Sequence, residues 1–168
     1  DAIAALVRIQ ARGHQHAQQL PAYDERLLRF EMSLFTDWLL GRHLALDLTA
    51  GEQAMVARAC DALVDNALVQ PQVFVHRDYH SRNLMVCEDA NPGILDFQDA
   101  VHGPLTYDLV SLLRDCYVAW PPADVMRWAL EFRAAAQAAG MMTGADDAQF
   151  LRWFDLMGVQ RHLKASGI

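Results

Sequence analysis

His76-Arg77-Asp78-Tyr79-His80-Ser81-Arg82-Asn83, followed by Ile94-Leu95-Asp96-Phe97, carries the strongest signal in the chain. It has the residue types and spacing of a phosphoryl-transfer loop. In that chemistry one carboxylate orients the attacking hydroxyl, while a carboxamide and a second carboxylate hold magnesium against nucleotide phosphates. Asp78 is the candidate base, and Asn83 and Asp96 are the candidate magnesium ligands.

The flanking residues give this loop its context. Val73, Phe74 and Val75 form a short β-branched and aromatic run after Pro71, and Leu84, Met85, Val86 and Cys87 form another. A third run, residues 94–97, follows Glu88-Asp89-Ala90-Asn91-Pro92-Gly93, which is dense in turn formers. The pattern predicts a loop entering a hairpin, with Asn83 at the start of the first strand and Asp96 near the end of the second. Antiparallel pairing then sets the two side by side. Singly, each residue is explained as a turn or a cap. Together, His-Arg-Asp, an Asn five residues after the Asp, and a hairpin ending in Asp-Phe satisfy several independent conditions.

The segment resembles the C-terminal lobe of the aminoglycoside phosphotransferase and choline kinase group, the small-molecule relatives of protein kinases. It departs from protein kinases in reading Asp96-Phe97-Gln98 where they have Asp-Phe-Gly, and in lacking an Ala-Pro-Glu segment. Gly103-Pro104-Leu105-Thr106-Tyr107-Asp108-Leu109 is instead similar to the Pro-x-x-Tyr-Asp-Leu element that opens the next helix in the small-molecule branch. Within that branch, residues 96–120 most resemble bacterial kinases of N-acetylmuramate and N-acetylglucosamine used in cell-wall recycling.

The resemblance implies a fold that is mainly α with a small β-hairpin, the C-terminal lobe of a protein-kinase-like fold. It implies ATP as co-substrate, Mg2+, and an amino-sugar acceptor phosphorylated at its anomeric hydroxyl, with an aminoglycoside as the second choice. It further implies that His76 packs beneath the loop and hydrogen-bonds to a buried Asp108 carboxylate, although a general-base role for His76 stays open. His80 is expected to touch phosphate or sugar. Arg77 balances a local acidic cluster, its partner unspecified. Asp99, Arg114 and Asp115 are candidates for acceptor binding, or else Arg114 and Asp115 belong to a solvated salt-bridging face. Gln160, Arg161, His162 and Lys164 either close a pocket or form a solvated helix end.

The chain has 168 residues, enough for one domain: residues 1–70 helical, 71–100 the loop and hairpin, and 101–168 helical again. No Gly-rich loop and no Val-Ala-Ile-Lys strand precedes the loop, so the nucleotide-binding N-terminal lobe is absent from this sequence. The expectation is a piece of a longer enzyme, inactive alone, whose missing lobe carries the phosphate-binding Lys and most of the adenine pocket. The net charge of −7 with dispersed basic residues argues against nucleic acid as a partner. Cys60, Cys87 and Cys116 are too few and scattered for a disulfide framework or a zinc pattern. Free thiols and a cytoplasmic location are expected, without membrane association, since no apolar run approaches the roughly 20 residues of a membrane span.

Helical periodicity predicts segments over residues 1–20, 24–43, 50–69, 105–117 and 124–139, and a last one from 146 towards 164. Thr49 and Glu52 form a capping box, and Gly140 ends the fifth helix. The stripe Leu27, Leu28, Phe30, Leu34, Phe35, Trp38 and Leu39 reads as core. His14 and His16, two apart on a helix, face different directions and do not suggest a metal site. Two competing functions remain. In a metal-dependent hydrolase, His76, Asp78, His80 and Asp96 would be zinc or manganese ligands, leaving Asn83 without a role. In a noncatalytic module, the loop would be a relic.

Overall fold

The capping box forms as expected: Thr49 accepts from the Glu52 amide at 3.4 Å and the Glu52 carboxylate accepts from the Thr49 amide at 2.8 Å. Two otherwise orphaned donors at a helix start are thereby satisfied. The computed structural model describes residues 1–168 and is mostly helical, with small antiparallel sheets. In order it comprises α1 (Ala2–Ala17), α2 (Glu25–Leu34), α3 (Ala50–Leu68), β1 (Gln72–Val75), β2 (Leu84–Met85), β3 (Gly93–Ile94), β4 (Val101–Pro104), α4 (Tyr107–Leu113), α5 (Pro122–Ala138) and α6 (Asp147–Ser166). No helix is long and apolar enough to cross a membrane.

β1 and β4 pair antiparallel from Gln72 opposite Pro104 to Val75 opposite Val101. Periodicity missed β4, because Val101-His102-Gly103-Pro104 is short and ends in two residues disfavoured in strands. Close packing explains Gly103: a Cβ there would lie 2.9 Å from the Tyr23 Cβ. The Tyr23 amide donates to the His102 carbonyl (2.8 Å) and the His102 amide to that of Pro21 (2.9 Å), so residues 21–23 add an extended strip to the sheet's edge. The predicted hairpin is real but shorter than expected, only Leu84 opposite Ile94 and Met85 opposite Gly93.

α6 packs against α2, α3, α4 and α5, and α1 lies across β1. Leu6, Leu28, Leu109, Phe132, Phe154 and Met157 form the dry interior, each fully or almost fully buried. Burying one such side chain favours folding by about 1.5–3 kcal/mol.

Two helices differ from expectation. The predicted 24–43 helix is regular only to Leu34, after which Phe35–His43 is π-helical, with the Leu44 amide reaching back to the Leu39 carbonyl. Ser33 and Thr36 donate to the Phe30 and Ser33 carbonyls and loosen the ladder where the pitch changes. The 3.6-residue period lapses there. The aromatic stripe is not uniformly core: Trp38, in the π-helical segment, is 48% exposed beneath the Arg42 guanidinium, and Phe30, on the solvent side of regular α2, is 62% exposed. Of the stripe's α2 residues only Leu28 is fully buried, and the same face carries Glu31 and Met32.

The predicted 105–117 helix ends at Leu113. Asp115 turns back to accept hydrogen bonds from the Ser81 and Tyr117 amides, both 2.9 Å, which draws residues 114–117 off the helix axis. Cys116 is consequently exposed. Pro121 and Pro122 open α5, where proline's missing donor costs nothing. Gly140, at φ +74°, terminates that helix as predicted.

Candidate functional site

β1 delivers the loop from the core, and β4 delivers α4 to meet it. Asp108, in the first turn of α4 and completely buried, accepts from the His76 amide at 2.7 Å and the Arg77 amide at 3.0 Å. The expected hydrogen bond from His76 to Asp108 is thus made by the backbone amide and not by the ring. Two successive amides already engage the carboxylate, and neither His76 ring nitrogen has a hydrogen-bond partner. The ring packs edge-on against Tyr79, with centroids 5.8 Å apart. Burial lowers the His76 pKa, against the pull of Asp78 and Asp96, and so favours the neutral ring. Burial also pushes the Asp108 carboxyl up to about 7, opposed by the two amide bonds.

Asp78 is half-buried, and its carboxylate makes no hydrogen bond within the chain. Its carbonyl organises the turn, accepting from the His80 amide at 3.0 Å and from Asn83 Nδ2 at 3.1 Å. Asn83 closes the 3-10 turn Ser81–Asn83, and its own carbonyl accepts from the Leu95 amide at 3.0 Å. That bond brings Asp96 alongside: Asn83 Nδ2 lies 3.3 Å from Asp96 Oδ2. Asp96 is exposed, at φ +68°, with its other oxygen accepting from Gln98 Nε2 at 2.6 Å.

This donor set fits magnesium. Asn83 turns Nδ2 to the Asp78 carbonyl and to Asp96 Oδ2, which leaves its Oδ1, a hard oxygen, without a hydrogen-bond partner in the chain. One or two protein oxygens, completed by phosphates and water, are what Mg2+ usually takes. The hydrolase alternative fares differently: no three His, Cys, Asp or Glu side chains are grouped to hold a metal, so His76, Asp78, His80 and Asp96 do not form its ligand set.

Arg77 meets Glu31 of α2 at 2.6 Å, a partner the sequence reading did not supply. The signal was present. Glu31 stands three residues after buried Leu28 and next to buried Met32, a charge on an apolar face. Lys164 and Gln160 reach the same carboxylate, at 2.9 and 3.4 Å, and Arg161 lies over the Tyr107 ring. Of the predicted 160–164 cluster, only His162 is exposed. The cluster belongs to the interior beneath the loop.

The acceptor candidates separate. Arg114 and Asp115 line an open cleft of about 400 Å3 with Trp120, Met126 and His162, while Asp99 is exposed elsewhere. Arg114 pairs with Asp155 at 2.5 Å and lies over the Phe154 ring. Burial would raise the Asp115 carboxyl, but the Ser81 and Tyr117 amides more than offset it and hold it below its usual range. His80 stacks edge-on against Tyr117, whose ring also carries the Arg82 guanidinium at 4.1 Å. Gln98 and Tyr117, which contact Asp96 and His80, were not among the candidates that the sequence offered. Gln98 was legible only as the departure from Asp-Phe-Gly.

Residues 1–153 match the model of a family described as the phosphotransferase enzyme family. The whole chain is 49% identical to an N-acetylmuramate/N-acetylglucosamine kinase of Pseudomonas putida, covering 49% of that protein. It is likewise 49% identical to a kinase of the same name in Pseudomonas aeruginosa, covering 48% of it, and 41% identical to one in Neisseria meningitidis, covering 49%. The chain spans about half the length of the curated relatives it matches.

Proposed function

The chain belongs to the phosphotransferase enzyme family, and from that premise we propose that it is the C-terminal lobe of an ATP-dependent sugar kinase. Its acceptor is N-acetylmuramate or N-acetylglucosamine, taken at the anomeric hydroxyl. The observation that carries this is that one side-chain amide, that of Asn83, joins Asp96 to the backbone carbonyl of Asp78, whose own carboxylate has no hydrogen-bond partner in the chain.

Asp78 orients the sugar hydroxyl in line with the γ-phosphate and accepts its proton as the new O–P bond forms and the bond to ADP breaks. In a loose transition state that proton leaves late, so Asp78 acts chiefly through position. Asn83 Oδ1 and the Asp96 carboxylate would hold Mg2+. When bound, the ion neutralises charge on the phosphate oxygens. Asp108 holds the loop by its backbone amides. We assign the sugar to the cleft at Arg114 and Asp115, with His80, stacked on Tyr117, as a further group for phosphate or sugar. The same cleft contains Arg114 and His162, which suits a neutral or anionic sugar better than a polycationic aminoglycoside. The remainder of the enzyme supplies the nucleotide's phosphate-binding Lys and adenine pocket, and dependence on ATP places the whole enzyme in the cytoplasm.

The test is ADP release by the full-length protein with Mg-ATP and N-acetylmuramate, N-acetylglucosamine or an aminoglycoside. Saturable release with either acetylated sugar supports the proposal. Release with the aminoglycoside alone, or at the same rate without any sugar, contradicts it.

A further inference from the structure

We propose that Glu31 is a positioning residue for the phosphoryl-transfer loop, acting on Asp78 through Arg77; this rests on the kinase reading above. Glu31 is 2% exposed, on α2, far from the loop in sequence. Its carboxylate gathers Arg77 at 2.6 Å, Lys164 at 2.9 Å, Gln160 at 3.4 Å and the Tyr23 hydroxyl.

Arg77 depends on this carboxylate. The side chain's single hydrogen-bond partner is Glu31, and its buried Nε has none. Lys164, by contrast, also donates to the Tyr107 hydroxyl at 3.2 Å. The Arg77 backbone sits at φ +75°, in the left-handed region. A non-glycine residue there costs roughly 1–3 kcal/mol and persists only where its surroundings over-determine it. Two tethers do so: the Arg77 amide to Asp108 on α4 and the guanidinium to Glu31 on α2. The torsions of Arg77 set the direction in which the next residue, Asp78, leaves the chain. Glu31 thus fixes the guanidinium end of the peptide that aims the base.

Charge sharpens the dependence. One buried carboxylate faces two cations, so neutralising Glu31 leaves Arg77 and Lys164 facing each other without a counter-ion. The Arg77 guanidinium has no second partner to retain it, and it moves. Because misplacement on the order of 1 Å can cost about 10²-fold in rate, the effect appears in kcat rather than in substrate affinity.

The experiment uses the full-length enzyme with Glu31→Gln, Arg77→Met, the double variant and the control Arg133→Met, which breaks an ion pair with Asp147 away from the loop. Steady-state kinetics are combined with amide hydrogen exchange read by mass spectrometry. The expected result is a kcat at least about tenfold lower in both single variants, with both KM values within about threefold of wild type. The double variant is no slower than the slower single, exchange quickens in the peptide spanning residues 76–83, and the control keeps wild-type kcat. Should Glu31→Gln not fold, Arg77→Met decides alone, since it keeps the Glu31–Lys164 pair. A kcat for Arg77→Met within about twofold of wild type, or unchanged exchange in that peptide, overturns the inference. If wild type phosphorylates no sugar, the kinase reading fails separately, and the exchange arm still decides whether Glu31 holds the loop.

Discussion

Asn83 and Asp96, 13 residues apart in the chain, meet at 3.3 Å, Nδ2 to Oδ2. A two-pair hairpin and the single bond from the Leu95 amide to the Asn83 carbonyl suffice to place them. Asp96→Asn in the full-length enzyme keeps this contact but removes the charge a divalent cation needs. Turnover is expected to fall at least about 100-fold, since metal stabilisation of transition-state charge is worth several kcal/mol and each 1.36 kcal/mol is tenfold. Kinetics at saturating Mg-ATP check this, and near-normal turnover would contradict it.

Gln98 holds the other Asp96 oxygen at 2.6 Å. That amide competes with a cation for the same lone pairs. Gln98→Ala should lower the Mg2+ concentration giving half-maximal activity by about two- to fivefold, the scale of one hydrogen bond's net contribution of about 1 kcal/mol. A magnesium titration at fixed ATP reads this directly, and an increase would show that Gln98 instead helps hold Asp96 in place.

The loop and its hairpin were legible because their signals are local: turn formers, β-branched runs and a fixed spacing from Asp78 to Asn83 and Asp96. The capping box at Thr49 and the terminating Gly140 were legible for the same reason. Glu31 was not, because its role depends on Arg77 and Lys164 arriving from distant parts of the chain. β4 was missed because its Gly103 answers to the Tyr23 side chain rather than to strand propensity. The His76–Asp108 link was anticipated from resemblance, but its atoms were not, since a backbone amide leaves no mark in sequence.

Asp108 gives a pH dependence. Burial raises its carboxyl to about 7, so between about pH 4 and 7 the folded state holds this proton more firmly than the unfolded chain does. Its contribution is fully present below about pH 4 and is lost as pH rises through 7. From pH 5 to 8 the wild-type chain should lose on the order of 2 kcal/mol through this group, a loss that Asp108→Asn lacks. Urea unfolding of both proteins at the two pH values measures the difference, and equal pH slopes would refute the assignment.

Gly103 tests the packing that sets β4 against the loop. An added methyl would lie 2.9 Å from the Tyr23 Cβ and 3.3 Å from the Val75 Cγ2, neither at the end of a flexible side chain. Gly103→Ala is expected to destabilise by about 1–3 kcal/mol, the usual cost of overpacking. Thermal or urea unfolding reads it, and unchanged stability would mean that the strip of residues 21–23 yields freely.

Phosphorus NMR of the full-length protein with Mg-ATP and N-acetylglucosamine or N-acetylmuramate, wild type beside Asp78→Asn, puts the phosphoryl-transfer claim to its most direct test. The account predicts a sugar-phosphate resonance coupled to the anomeric proton, appearing with ADP in wild type and lost or slowed at least about 100-fold in the variant. Inorganic phosphate as the sole product, or an undiminished sugar phosphate from Asp78→Asn, would contradict it.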